Sequence, residues 1–231
     1  MPAFICVKMQ RYKYPTLPFS QHQSLHTAHS PPLKTSRVPD TYPHLPHLIN
    51  CTTMTSPYTL RDARPSDMPR IVQRHKDLYS TEYNYNMHFV SIVSQVTTDF
   101  IANHDPAHER CWIAERDGQF LGCIMLVKDK STEQLSSSDP SQQADPTYKT
   151  AKLRLLLVEP SARGLGLGRD LVTQCTRFAR EAGYERIRLW TNSELVSARR
   201  LYMREGYRLV RAEEDESLGV KIVAEYWELE L

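Results

Sequence analysis

The sequence predicts a mixed α/β domain of about seven strands and four helices, and three observations carry that prediction. The first is an apolar run, Leu153-Arg-Leu-Leu-Leu-Val158, which reads as a buried strand. Pro160 stops it, because proline has no N–H to donate. The second is a glycine-rich loop, Gly164, Gly166 and Gly168, directly behind that strand. The third is a downstream alternation of segments with helical and strand periodicity.

Taken in chain order, Tyr58-Thr-Leu-Arg-Asp-Ala-Arg64-Pro65-Ser66-Asp67 is a short strand leading into a helix capped by Ser66. That helix repeats apolar positions at Met68, Ile71, Val72, His75, Leu78 and Tyr79, and a second helix carries Phe89, Ile92, Val93, Val96 and Phe100 on one face. Cys111 to Arg116 and Gln119 to Val127 form a hairpin around Asp117-Gly118, a favoured turn dipeptide. After the glycine loop, apolar residues at 171, 172, 175, 178, 179 and 182 make an amphipathic helix that Gly183 ends. Glu185 to Thr191 alternates as a strand, Ser193 caps a helix running to about Glu205, and Gly206 closes it. Tyr207 to Val210 and Ala224 to Leu231 supply the last two strands.

A strand, a glycine loop and a helix start together make a cradle for a phosphate-bearing ligand. Glycines let backbone N–H groups crowd around an anion, and the first helical turn adds unpaired N–H groups and a positive dipole end. A P-loop would need Lys-Ser/Thr after its last glycine, whereas Gly168 precedes Arg169-Asp170. A dinucleotide fingerprint would need glycine where Arg169 stands. What remains is Arg163-x-x-Gly166-x-Gly168, which resembles the pyrophosphate loop of the GNAT N-acetyltransferase superfamily.

Further along, Ala198-Arg-Arg-Leu201-Tyr202-Met-Arg-Glu-Gly206-Tyr207 resembles that superfamily's Ala-x-x-Leu-Tyr-x-x-x-Gly-Phe/Tyr signature. The segment from about Tyr58 to Leu231 is similar to the acetyltransferase half of bacterial MarR-type regulator–acetyltransferase fusions, without their winged helix. The resemblance implies a GNAT acyl-CoA N-acyltransferase fold and acetyl-CoA as acyl donor. It implies that Leu156, Leu157 and Val158 pair with pantetheine, and that Arg163, Gly164, Leu165, Gly166, Leu167, Gly168 and Arg169 hold the pyrophosphate. Asn192 is expected on the cofactor side. Tyr202 falls at the general-acid position, where a phenol with a pKa near 10 can hydrogen-bond or protonate a departing thiolate. Read without the resemblance, Tyr202 is as readily a residue packed against the sheet.

The acceptor site implied by the resemblance lies near the first two helices, where His75, Tyr79, Glu82 and Tyr85 suit a small polar amine: tyrosines as walls, Glu82 for an ammonium, His75 and Arg74 for a carboxylate. The same stretch also reads as a wet aromatic loop on the sheet edge. Trp190 stands where several superfamily members carry a basic glutamate, and Leu195 where an asparagine is frequent. Asn192, Glu194 and Glu82 are substitutes within reach, and none is assigned as base.

Residues 1–53 hold eight of the fifteen prolines, five of the nine histidines and a single acidic residue, Asp40, so no amphipathic period survives there. A disordered extension, a mitochondrial presequence and an untranslated stretch before Met54 are the three readings, and the domain spans 54–231. Residues 128–150 read as a surface insertion, either neutral or a substrate lid. A net charge of +2 argues against a nucleic-acid surface, and no apolar run approaches a membrane span. Five cysteines without Cys-x-x-Cys spacing point to reduced thiols, a cytoplasmic setting and no metal site. The expected function is acetyl transfer to an amine. A non-catalytic acyl-CoA sensor with a protein partner and an O-acyltransferase are its rivals, and no oligomeric state is assigned.

Overall fold

The computed structural model describes residues 57–130 and 149–231. The expectations for residues 1–53 and for most of the 128–150 insertion lie outside them. The described chain forms strand β1 (Thr59–Asp62), helices α1 (Met68–Tyr83) and α2 (Met87–Asn103), and strands β2 (Arg110–Arg116), β3 (Gln119–Lys128) and β4 (Thr150–Val158). Helix α3 (Leu167–Glu181), β5 (Arg186–Asn192), α4 (Val196–Arg204), β6 (Arg208–Asp215) and β7 (Ile222–Glu230) complete it. The seven strands form one sheet in the order β1-β2-β3-β4-β5-β7-β6. Only β4 and β5 run parallel.

Helix α3 is amphipathic because Leu167, Leu171, Val172, Cys175, Phe178 and Ala179 recur on one side, and all are buried with Leu153, Ile187, Leu189 and Tyr202 on one face of the sheet. Helices α1 and α2 cover the other face through Met68, Ile71, Phe89, Val93 and Phe100. The Asp117–Gly118 hairpin turn has φ of 51° and 74°, as a two-residue turn of this kind requires.

Three local expectations differ. Helix α1 starts at Met68 after a single 3₁₀ turn over Pro65–Asp67, and no Ser66 side-chain cap forms; Asp67 instead accepts from the Arg64 N–H at 2.7 Å. Helix α4 starts at Val196, because the Leu195 N–H turns back onto the Asn192 carbonyl at 3.0 Å. Strand β6 runs on to Asp215 through charged residues, which leave no apolar alternation to read because this edge strand is exposed nearly throughout.

The feature that positions the site is the parting of β4 and β5. They pair only at Thr150–Lys152 with Arg186–Arg188. Beyond that, β4 follows β3 to Val158, and β5 follows β7 to Asn192. Backbone groups on the two facing edges are thereby left without a strand partner.

Candidate active site

A bulge shapes the open edge of β4. Cys123 pairs with Leu157 and Met125 with Arg154, so Leu155 and Leu156 together face Ile124. Leu155 takes φ of 52°, a left-handed conformation that a leucine rarely adopts, and its carbonyl accepts from the Cys123 thiol at 3.2 Å. The extra residue reverses the alternation. Leu153, Leu156 and Val158 pack toward α3 and α4, while Leu155 and Leu157 pack toward α1 and α2. Gly122 of β3 permits the tight crossing here, since a Cβ on it would lie 2.5 Å from the Leu157 carbonyl oxygen.

At the end of β4, Glu159 is buried and clamped by Arg74 in a two-pronged pair of 2.7 and 2.8 Å, which ties α1 to the start of the loop. Gly164 and Gly166 both have φ of 81°. A Cβ on Gly164 would meet nothing within 4 Å, and one on Gly166 only the end of Arg169, so the loop is open on the side where a ligand would approach. Gly168 differs: a Cβ there would make ordinary contact with the Leu201 and Val158 side chains, at 3.4 and 3.6 Å, on the packed side of the helix. The first turn of α3 presents N–H groups without intrahelical partners at this opening. Asp170 in that turn accepts from the Tyr58 hydroxyl at 2.7 Å; burial and this bond push Tyr58 up to about 12. Open glycines, free N–H groups and a cation at Arg169, 70% exposed, fit a pyrophosphate.

The parted strands enclose a pocket of about 90 Å³ lined by both layers, with His75, Tyr79, Tyr85 and Phe89 on one side, Leu195, Ala198 and Tyr202 on the other, and Arg154, Leu156, Trp190 and Asn192 between. Tyr202 is buried in α4 and its ring leans on Tyr207, but its hydroxyl makes no hydrogen bond to any described residue. Burial raises its pKa well above the ordinary phenol value, so it is a proton holder at neutral pH. Tyr85 donates to Glu194 at 2.6 Å and accepts from the Asn192 amide at 2.7 Å. Burial, then the Glu194 bond, raise Tyr85 as well. The side-chain amide oxygen of Asn192, Oδ1, is buried without a partner among the described residues.

His75 is buried and donates from Nδ1 to the Ile71 carbonyl at 2.8 Å, which leaves Nε2 as an unpartnered acceptor. Burial pulls its pKa down to about 4, so the ring is neutral at pH 7. Tyr79 stacks on it, with ring centroids 5.8 Å apart. Glu82 is placed differently: it does not line the pocket and instead receives the Arg163 guanidinium at 2.7 and 3.0 Å. The acid expected for the acceptor thus neutralises the arginine expected for the cofactor. Arg74 is likewise engaged, by Glu159 and Asp77. Sequence reasoning missed Arg154 and Gly122, since Arg154 looks like one polar interruption of an apolar strand.

The acetyltransferase (GNAT) family model matches residues 71–207, more than half of the chain. The chain belongs to the GNAT acetyltransferase family. This GNAT chain is 30% identical over 95 residues to the mycothiol acetyltransferase of Cellulomonas flavigena, and 28% identical over 110 residues to N-acetyltransferase family 8 member 2 of Rattus norvegicus. Those matches cover 41% and 48% of the chain but only 25% and 43% of the two relatives, so it spans less than half of either. Among solved structures, Salmonella typhimurium yncA with its cofactor acetyl-CoA superposes with a TM-score of 0.56 at 16% identity, over 75% of this chain and 94% of that one. The ribosomal-protein-alanine N-acetyltransferase of Brucella melitensis gives 0.56 at 16% identity, over 75% and 99%. These two share the fold. Among the described residues no helix is long and apolar enough to cross a membrane, and no cluster of three metal-ligating side chains forms. Cys111, Cys123 and Cys175 are buried free thiols whose pKa values burial raises, so they are not poised as nucleophiles.

Proposed function

We propose that this GNAT protein transfers an acetyl group from acetyl-CoA to an amine by direct attack. The observation that carries the reading is Tyr202: a buried side chain whose hydroxyl bonds to no described residue, lining a pocket formed where two parallel strands part, beside an open glycine loop. Acetyl-CoA bound here supplies a thioester, which is the activated acyl group.

The chain's own residues divide the remaining work. Backbone N–H groups of Gly164 to Arg169 hold the pyrophosphate, and Arg169 adds charge. The free edge of β4 at Leu156, Leu157 and Val158 offers strand-like pairing to an extended arm. Tyr202 keeps its proton until negative charge develops on sulfur, then stabilises that charge in a site of low polarity where a hydrogen bond is strongest. At the other end, the attacking amine must lose a proton. Tyr85 is placed to accept an N–H while passing its own proton 2.6 Å to Glu194, so it never ionises. Glu194 also borders a second hollow with Tyr83, Ser193 and Lys221, which gives the proton a route out. That Tyr85 and Tyr202 line the same pocket favours catalysis over acyl-CoA sensing.

The test is thiol release from acetyl-CoA by the full chain against a panel of amines and alcohols. Amine-dependent release that falls in Glu194→Gln supports the reading, and release with alcohols alone would replace it with O-acetyl transfer.

A further inference from the structure

Arg154 differs from the other arginines near the site. It sits half-buried in the pocket wall at the first residue of the β4 bulge, and no hydrogen bond or ion pair joins it to any described residue. The nearest acids are committed elsewhere. Asp129 is held by Lys152 at 2.8 Å and lies 3.5 Å from Arg188, and Asp99 accepts from Gln95 at 2.7 Å. Burial lowers the Arg154 pKa, partly offset by those two carboxylates, yet a guanidinium stays charged at neutral pH. A desolvated cation without a partner is costly, and side chains in that situation normally have one.

The rest of the wall narrows the partner. Tyr79, Phe89, Ile92, Val93 and Leu155 present rings and aliphatic carbon, and neutral His75 and Asn192 offer only unpartnered acceptor atoms. Those acceptors suit the N–H groups of an amine and repel an anion. Arg154 is the pocket's only charged lining residue among those described. It is also four residues back from Val158, roughly 10–13 Å along the strand from the glycine loop, too far to share the pyrophosphate. The two arginines that the sequence suggests for a carboxylate or a phosphate near here, Arg74 and Arg163, are both already paired with glutamates.

We propose that Arg154 is the anion-binding residue of the acceptor pocket, and that the acceptor is a small amine carrying an anionic group on an apolar body, in its simplest form an apolar amino carboxylic acid. The proposal rests on the acetyl-transfer reading of the pocket. In it the amine faces Tyr85, Asn192 and His75 while the carboxylate takes the paired N–H groups of Arg154, so the two ends of one small molecule are read by different lining groups.

The experiment compares leucine, methionine and phenylalanine with their carboxamides as acceptors for the full chain and acetyl-CoA, in the wild type, Arg154→Met and Arg154→Lys. A charge-assisted contact of this kind corresponds to roughly ten- to hundredfold in kcat/KM. The acids should lead by that factor in the wild type, the lead should vanish in Arg154→Met through KM, and Arg154→Lys should recover part of it. Carboxamide turnover should fall far less than acid turnover in Arg154→Met, so the ratio of acid to carboxamide kcat/KM is the readout. Calorimetry with N-acetyl-leucine and N-acetyl-phenylalanine against their methylamides gives a readout that needs no turnover. Arg154-dependent binding of the acids without any turnover would retain the anion site and sink the acetyl-transfer reading. Turnover in which acids and carboxamides respond equally to Arg154→Met, or binding of neither acid, would overturn the proposal.

Discussion

The glycine loop at Gly164–Arg169 and the pocket between β4 and β5 adjoin one another along a single strand, yet they are built from different material. The loop offers backbone: two glycines at φ of 81°, a helix start, and side-chain space left empty. The pocket offers side chains from both faces of the sheet, drawn from α1, α2, β4, β5 and α4. A backbone cradle recognises an anion by geometry alone and tolerates little beyond glycine. A side-chain pocket can keep its shape while its chemistry is altered residue by residue. The loop therefore suits a ligand shared by many proteins of this fold, and on the proposed reading the pocket is where this chain's own choice of acceptor would reside.

The largest expected effect falls on the pocket. Tyr202→Phe keeps the ring against Tyr207 and removes only the hydroxyl, so turnover should drop about 10²–10⁴-fold while folding and acetyl-CoA affinity stay nearly unchanged. Stopped-flow thiol detection and a denaturant melt together check both halves. Turnover within a few-fold of wild type would make Tyr202 a packing residue.

Next comes acid sensitivity. His75 has a folded pKa of about 4, below the unfolded value of about 6.5, so below pH 6.5 the unfolded chain binds a proton that the folded chain refuses. Stability from this group is complete above about pH 6.5 and is lost as pH falls toward 4, by up to about 3 kcal/mol. Urea midpoints measured from pH 7 to 4 should fall more steeply for the wild type than for His75→Gln. Parallel slopes would show that the ring is not held neutral.

Gly122→Ala tests the strand that serves both regions. Its new Cβ would lie 2.5 Å from a backbone oxygen that cannot move alone, so a loss of about 1–3 kcal/mol in unfolding free energy is expected. A neutral result would mean that the β3–β4 crossing relaxes easily. The smallest effect belongs to Glu82→Gln. Arg163 is about half exposed, so breaking the pair should change stability by less than about 1 kcal/mol. Any gain in acetyl-CoA affinity would then report an arginine released toward the loop.

The same contrast explains what could be read in advance. The loop is made of residues adjacent in sequence, so Gly164 and Gly166, the strand before them and the helix behind them could be located from spacing, while the roles proposed for them and for Tyr202 rest on the family resemblance. The pocket depends on residues that approach only when β4 and β5 part. The Leu155 bulge, the Tyr85–Glu194 contact across 109 residues and the Glu82–Arg163 pair across 81 leave no local pattern. Gly168 shows the limit from the other side. Its place in the motif is plain, but a Cβ there would face the Leu201 and Val158 side chains rather than the open side of the loop, which spacing does not reveal.

The measurement that bears most directly on the central claim is the stability of the full chain titrated with acetyl-CoA. If the open loop and the parted strands bind it, unfolding free energy should rise by about 2.7 kcal/mol at 100-fold above the dissociation constant, and Gly166→Val, which strains φ and fills the approach, should abolish that rise. A wild-type chain whose unfolding is unmoved by saturating acetyl-CoA would contradict the account.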